Sequence, residues 1–325
     1  MAEHAAYFAD EKARKIYMTK KIVSRVIVYA FLTLFALFLL APFILMIVGS
    51  FVRADKFEAF TTSTNPDFSL LGFANWRFDN YIEVFDKYYI NNLGEKVLKS
   101  GNNFPVFFLN TFIVAVGSTT VTVVTAVLAA FAFARLEFKG KEAVFAVLLA
   151  TMMIPGEMMV ITNYMTVRQI GWVNTFAALI LVHGVSVFYV FYLRQTFQQI
   201  PNELYLAAKV DGVSDIGYLW KVMIPIAMPT ITTIIILSMM GAWNSFVWPD
   251  LVAKGKWTPF GQKTDHSMML VSNGLRTLFQ QSDGGGARDA VKIAGSMVIS
   301  IPLFIVFICF RKYIMKGVSR SGIKG

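Results

Sequence analysis

Glu157 is the only carboxylate in an apolar stretch running from Ala143 to Val167. A charge at mid-bilayer costs about 2.5–3.5 kcal/mol on insertion scales, so such a group faces a cavity or a partner rather than lipid. Pro155 and Gly156 precede it and break the local helix. Glu157 therefore either lines a substrate pathway or bonds a neighbouring helix. Trp243 and Asn244 offer a different chemistry. An aromatic face and an amide suit polyhydroxylated ligands, whose hydroxyls need partners once they lose water. His183-Gly184 reads first as a packed polar pair and second as part of a site, and Trp248 fits an aromatic belt at a membrane interface.

Other chemistries find no support. His4, His183 and His266 are far apart, and Cys309 is the single cysteine, so neither a metal-ligand spacing nor an internal disulfide exists. Asp283-Gly284-Gly285-Gly286 is followed by no phosphate-binding Lys and reads as a connector. No Walker motif is present, so the chain is not expected to hydrolyse ATP. No His, Asp or Glu cluster sits at a span end, as a membrane-embedded enzyme would want. An ion-coupled secondary transporter is the alternative class, but Glu157 and His183 are few ionisable groups for it.

These residues need a scaffold, and the composition says which. Of 325 residues, 56% are hydrophobic and 15% charged, against about 25% charged in soluble domains. Mean hydropathy is +0.57. Such a chain suits a bilayer, with membrane lipid as its solvent. Six apolar runs qualify as spans: 26–49, 106–134, 143–167, 172–193, 222–249 and 293–310. They are long and continuous, so they are helices rather than barrel strands of about ten residues. The expected fold is an all-α polytopic membrane protein. The first run is too long for a signal peptide and follows a polar tail, so it is expected to stay as an anchor. The net charge of +10 reads as basic residues flanking spans, not as a nucleic-acid surface. With the N-terminus inside, Arg135, Lys139, Lys141, Arg194, Lys209, Lys221, Arg311 and Lys312 all fall on inner segments. That places the tails 1–25 and 312–325 in the cytoplasm and the segments 50–105 and 250–290 outside.

The inner segment 195–221 is the most informative. Pro201 ends one helix, and Asn202 can cap a short one through its side-chain oxygen. Glu203 falls in the first turn, where the helix dipole favours an acid. Gly212 suits the position just past the helix end, and Ser214 or Asp215 can start a second helix leading into the fifth span. Leu204, Tyr205, Leu206, Ala207, Ala208 and Val210 make the first helix apolar or small. It either rests on the membrane or bundle, or docks a cytoplasmic partner.

Pro201-Asn202-Glu203-Leu204, Ala207-Ala208, Asp211-Gly212 and Val222-Met223-Ile224-Pro225 resemble the EAA loop of ABC importer membrane subunits. Asn110-Thr111, Ala132 to Leu136, Met153-Ile154-Pro155, Leu193-Arg194-Gln195, Trp243-Asn244 and Trp248-Pro249 resemble the carbohydrate branch of that family. The ending Lys316-Gly317-Val318 through Gly325 is similar to the tail of the maltose importer's second membrane subunit. The resemblance implies a type I importer permease of six helices in the bacterial cytoplasmic membrane. It implies Glu203, Leu204, Leu206, Ala207, Ala208, Asp211 and Gly212 as an ATPase-coupling helix, and Ser321, Gly322 and Lys324 as an ATPase-contacting tail. It also implies Trp243, Asn244 and Glu157 as candidates for the pathway of a sugar. The implied partners are a second homologous permease, two ATPase subunits that carry the ATP and magnesium, and an extracytoplasmic solute-binding protein. No cofactor is expected in this chain. The family usually has Glu just before the two alanines, where this chain has Leu206, so docking is expected to lean on apolar packing.

Overall fold

The computed structural model describes residues 11–65, 67–85, 88–90, 96–98, 104–253, 268–280 and 289–319. The described chain is helical, apart from a short antiparallel hairpin of β1 (Tyr88–Ile90) and β2 (Lys96–Leu98). Packing divides it into two units, one ending at Tyr81 and including the start of the last helix, the other holding the rest.

In the first unit, α1 (Glu11–Phe51) is a single helix, so the segment expected as a tail is helical from Glu11. None of the most apolar window of α1 is buried in the chain. Its far end is anchored by aromatic packing. The Phe51 ring stacks on Trp76 at 5.2 Å and meets Phe78 and Tyr81. Asn80 donates its amide to the Ser50 and Val52 carbonyls at 2.9 and 2.7 Å, which satisfies the helix end. Short α2 (Ala54–Thr62) and α3 (Asp79–Phe85) flank this cluster.

In the second unit, α4 (Phe104–Arg135) is the central column. Small residues let neighbours approach it: Ala126 and Ala130 are buried, and a Cβ on Gly117 would stand 2.7 Å from Ile180. Along α4 run α8 (Val187–Gln198) and the long rod formed by α10 (Asp215–Tyr218), a π-turn (Leu219–Met223) and α11 (Ile224–Trp243). At the Arg135 end, Val127, Phe131, Leu193, Phe197, Leu219 and Met223 form one buried cluster. At the Phe104 end, Val114, Leu179, Trp248, Val252 and Leu270 form another.

The six expected spans are only partly continuous. Among the described residues, four helices are long and apolar enough to cross a membrane: Lys15–Phe51, Phe104–Arg135, Asp215–Trp243 and Asp289–Arg311. The third expected span is a bent pair, α5 (Lys141–Thr151) and a segment ending in α6 (Val160–Gln169), meeting at 85°. Pro155-Gly156 stands at that bend, where proline removes a backbone donor. The fourth is broken into α7 (Phe176–Ile180) and α8. At 12 residues α8 is about 18 Å long, short of the roughly 30 Å of a bilayer core. The break is stabilised from outside. Thr125 of α4 donates to the Gly184 carbonyl at 2.9 Å, and Ser186 accepts the Tyr189 N–H to cap α8. The fifth span stops at Trp243 and is followed by the separate α12 (Val247–Val252).

The segment 250–290, expected only as an expanded loop, contains α13 (Val271–Gln280). It is fastened to the end of α4. Asn110 donates to the Met269 carbonyl at 3.0 Å, and Thr111 Oγ1 accepts the Val271 N–H at 2.8 Å. The buried Asn273 accepts the Leu270 N–H and donates to the Pro249 carbonyl. Gly274 is needed for this approach, since a Cβ there would lie 2.5 Å from the Phe107 ring. The last helix, α14 (Asp289–Ser319), starts before the expected span and continues to Ser319, into the segment expected as a tail.

Candidate functional site

The elbow between α8 and α10 follows from local sequence. Its first arm is α9 (Asn202–Val210), with Glu203 in the first turn and Lys209 in the last, both matched to the helix dipole. Gly212 takes φ +73°, the left-handed region that closes the helix, with nothing within 4 Å of a Cβ built there. The Ser214 hydroxyl then accepts the Gly217 N–H and caps α10. One expectation needs correction. Asn202 is the first residue of α9 and makes no cap bond; its side-chain oxygen accepts instead from Arg135 at 3.3 Å.

Arg135 is the joint between the elbow and α4. Its guanidinium donates to the Phe197 carbonyl at 2.9 Å and to the Ile200 carbonyl, satisfying the end of α8. Nearby, the buried Arg194 donates bidentately to Glu142 at 2.8 and 3.0 Å and to the Phe133 carbonyl, and it lies 4.0 Å over the Phe145 ring. These two arginines tie the ends of α4, α5 and α8 into one block.

The inner face of α9 is closed by its own contacts. Tyr205 donates to Asp215 at 2.7 Å, its ring packs edge-on to Tyr218 at 5.1 Å, and Lys209 pairs with Asp215 at 2.7 Å. Burial raises the Tyr205 phenol above its ordinary pKa, with Asp215 adding to the effect. The hydrogen bond to Asp215 raises Lys209 above its ordinary value. Away from the inner face apolar side chains stand open: Leu206 is 56% exposed and Val210 88%, and Leu204 on the flank is 42% exposed. Glu203, Ala207, Asp211 and Gly212 are exposed too, whereas Ala208 is half-buried against the bundle.

The pathway candidates are not brought together. Trp243 is buried, donates to the Ile299 carbonyl at 3.2 Å, and borders an apolar groove with Phe108 and Pro302. Asn244 is exposed and donates to the Met240 carbonyl of its own helix at 3.0 Å. Glu157 stands exposed in the turn Gly156–Met159, and its carboxylate has no hydrogen bond or ion pair among the described residues. Trp248 is not an interface aromatic: it is buried and donates to the Ala178 carbonyl at 2.9 Å. The tail residues Ser321, Gly322 and Lys324 lie outside the described residues. His183 joins a polar cleft that the sequence did not announce. Ser118, Thr122, Ser238 and Ser245 surround it, and its ring packs edge-on to Trp248 at 5.3 Å. The signal was there in part, since Ser118 and Thr122 lie four residues apart on one face of α4.

Comparison with known proteins places this arrangement. Residues 122–320 match the family model described as "Binding-protein-dependent transport system inner membrane component". The trehalose/maltose transport system permease protein MalG of Thermococcus litoralis is 30% identical over 95% of this chain and all of its own length. The arabinooligosaccharides transport system permease protein AraQ of Bacillus subtilis is 25% identical over 93% of this chain and 97% of its own. The lactose transport system permease protein LacG of Rhizobium radiobacter is 26% identical over 91% and 95%. The fold matches a crystal structure of a bacterial ABC transporter involved in the import of the acidic polysaccharide alginate. That match has a TM-score of 0.66 and 20% identity, and it covers 94% of this chain and 99% of the other. A helical chain with several membrane-length apolar helices and this family match over most of its length is a multi-pass inner-membrane protein, and it belongs to the binding-protein-dependent transport system inner membrane component family of ABC importer permeases.

Proposed function

We propose that this chain forms one half of the translocation pore of an ATP-driven, binding-protein-dependent sugar importer, with α9 as the helix that couples it to the ATPase. The observation that carries the reading is the pair of apolar side chains left bare on one face of α9, Leu206 and Val210, with Leu204 open on its flank. Exposed apolar side chains on a rigid elbow are the anchors a protein partner buries. The sugar assignment is supported by relatives named for trehalose/maltose, arabinooligosaccharides and lactose.

In this mechanism two ATPase subunits bind ATP and magnesium, close, and draw together α9 of this chain and of a second homologous permease. Movement of α9 passes through Tyr205 and Asp215 to the rod, and through Asn202 and Arg135 to α4. Alternating access follows, with a solute-binding protein delivering sugar from the extracytoplasmic side. Both termini then lie in the cytoplasm, the basic residues around the elbow lie inside, and Ser321, Gly322 and Lys324 run along the ATPase dimer. Coupling must be reciprocal: if ATP changes sugar release, the loaded binding protein changes ATP turnover. The ion-coupled reading loses ground, because among the described residues the Glu157 carboxylate has no partner and no carboxylate lines the polar cleft.

The test uses Val210→Cys in a chain whose Cys309 is replaced by Ser, since Val210 is far more open than Ala208. Cross-linking to cysteines placed in the ATPase cleft is expected to vary with nucleotide. A folded complex with no such proximity in any nucleotide state rejects the coupling role.

A further inference from the structure

A cleft of about 260 Å³ lies between α4, the α7–α8 break and the end of α11. We propose that it is a subsite for one uncharged sugar ring on the translocation path, built by this chain alone. The proposal rests on the sugar-importer reading above and adds where, and for which class of sugar, this subunit touches the cargo.

Four of its polar side chains have capacity to spare. Ser118, Thr122, His183 and Ser238 line the cleft, and none has a hydrogen-bond partner among the described residues. Ser118 and Thr122 are 8% and 4% exposed. Ser118 and Thr122 are buried residues whose hydroxyls reach the cleft rather than being sealed off, Ser238 is half-buried and His183 is exposed, so the polar ends on this wall are open to a partner that the cleft admits. Their types fit hydroxyls, because Ser, Thr and His each donate and accept.

The opposite requirement of a sugar, an apolar face for its C–H side, is met in the same cleft. Tyr189 and Trp248 both line it. The Trp248 ring is held in place by its bond to Ala178 and by His183, so it is a preformed wall. Charge narrows the class. Among the described residues, no Asp, Glu, Lys or Arg lines the cleft. A carboxylated sugar there would give up its water with no counter-charge, which is costly in a low-dielectric site. Size narrows it further: pockets for drug-sized ligands run about 300–1,000 Å³, and this one suits a single ring. Ser118 lies about 26 Å along α4 from Arg135 in a helix of 32 residues, close to its middle. A site at that depth sits on the path rather than at a mouth.

Gly241 supplies the means to test it. It lines the cleft, and a Cβ built on it meets nothing within 4 Å, so larger side chains grow into open space. The full complex, with its second permease, ATPase and binding protein, is reconstituted in liposomes and given labelled maltose, lactose, trehalose and an alginate disaccharide. The measure is sugar imported per ATP hydrolysed. For the neutral sugars that wild type imports, Gly241→Ala, Gly241→Val and Gly241→Leu are expected to lower it stepwise, by about tenfold at Leu; His183→Ala is expected to lower it severalfold. The graded series keeps the result readable if the bulkiest variant does not assemble. Wild-type values across the series would sink the subsite and leave the importer reading standing. Import of the alginate disaccharide and of no neutral sugar would overturn the assignment of ligand class. A wild-type complex that imports none of the four, and whose ATPase responds to no loaded binding protein, would overturn the importer reading and the subsite with it.

Discussion

The elbow and the cleft are opposites. At the elbow, Tyr205 and Lys209 are both tied to Asp215 while Leu206 and Val210 are bare, and of the described buried polar atoms there the Tyr218 hydroxyl and Arg135 Nε alone lack partners. In the cleft, the packing behind the wall is apolar, and the side chains of Ser118, Thr122, His183 and Ser238 have no partners among the described residues. Each region withholds the interaction its surroundings make costly. Bare apolar surface is costly beside water, and unpaired polar groups are costly inside a membrane bundle. A protein partner relieves the first and a hydroxylated ligand the second.

The sharpest way to break this contrast is to charge the open face. Leu206→Asp with Val210→Asp removes two apolar anchors, each worth about 1.5–3 kcal/mol when covered. Assembly with the ATPase is expected to weaken at least about a hundredfold. Undiminished co-purification of the double variant would show that this face docks nothing. Next in size is Arg135→Met, which strips the donors from the Phe197 and Ile200 carbonyls. Hydrogen bonds from a charged group are worth about 1.5–3 kcal/mol each, so a loss of about 3 kcal/mol or more is expected in denaturation of the purified complex. A melting curve that overlays wild type would mean the joint is dispensable.

Gly212→Ala isolates backbone from contact, because nothing lies near the added methyl. Its expected cost is the left-handed penalty alone, about 1–2 kcal/mol, read as a lower Tm of the purified complex. A stability equal to wild type would show that the elbow can close another way. The smallest effect is expected from Lys209→Met. The Lys209–Asp215 pair is well exposed, and such pairs contribute little and fade with salt. Lys209 is raised by its partner, so whatever it contributes is fully present below the ordinary lysine pKa. That contribution is lost only as pH climbs through the raised value. The Tm difference between variant and wild type is therefore expected to stay flat from about pH 6 to 9. A slope in that window would point to another titrating group.

How much of this was legible depended on the range of the interaction. The second span was read almost to the residue, as 106–134 against Phe104–Arg135, because a long uncharged run has one solution in lipid. The elbow was read nearly as well, since Pro201, Gly212 and Ser214 act on their immediate neighbours. The break after Ile180 was not. Its residues are apolar enough to read as continuous helix, and it is held open by Thr125, 59 residues away. Asn202 failed as a cap for the same reason, because its partner is 67 residues distant. Trp248 was placed at an interface by type, while its burial depends on α7. The helix α13 left a faint trace in the spacing of Val271, Leu275 and Leu278, diluted by polar neighbours in a segment with no hydrophobic run.

The rod from Asp215 to Trp243 is one unbroken helical piece of 29 residues, about 43 Å long. It begins at the elbow, and its far end supplies Ser238 and Gly241 to the cleft. A lever of that length pivoting by about 10° at one tip swings the other by about 7 Å. Under the proposed coupling, a small tilt imposed at the elbow would become a displacement of several ångströms at the cleft.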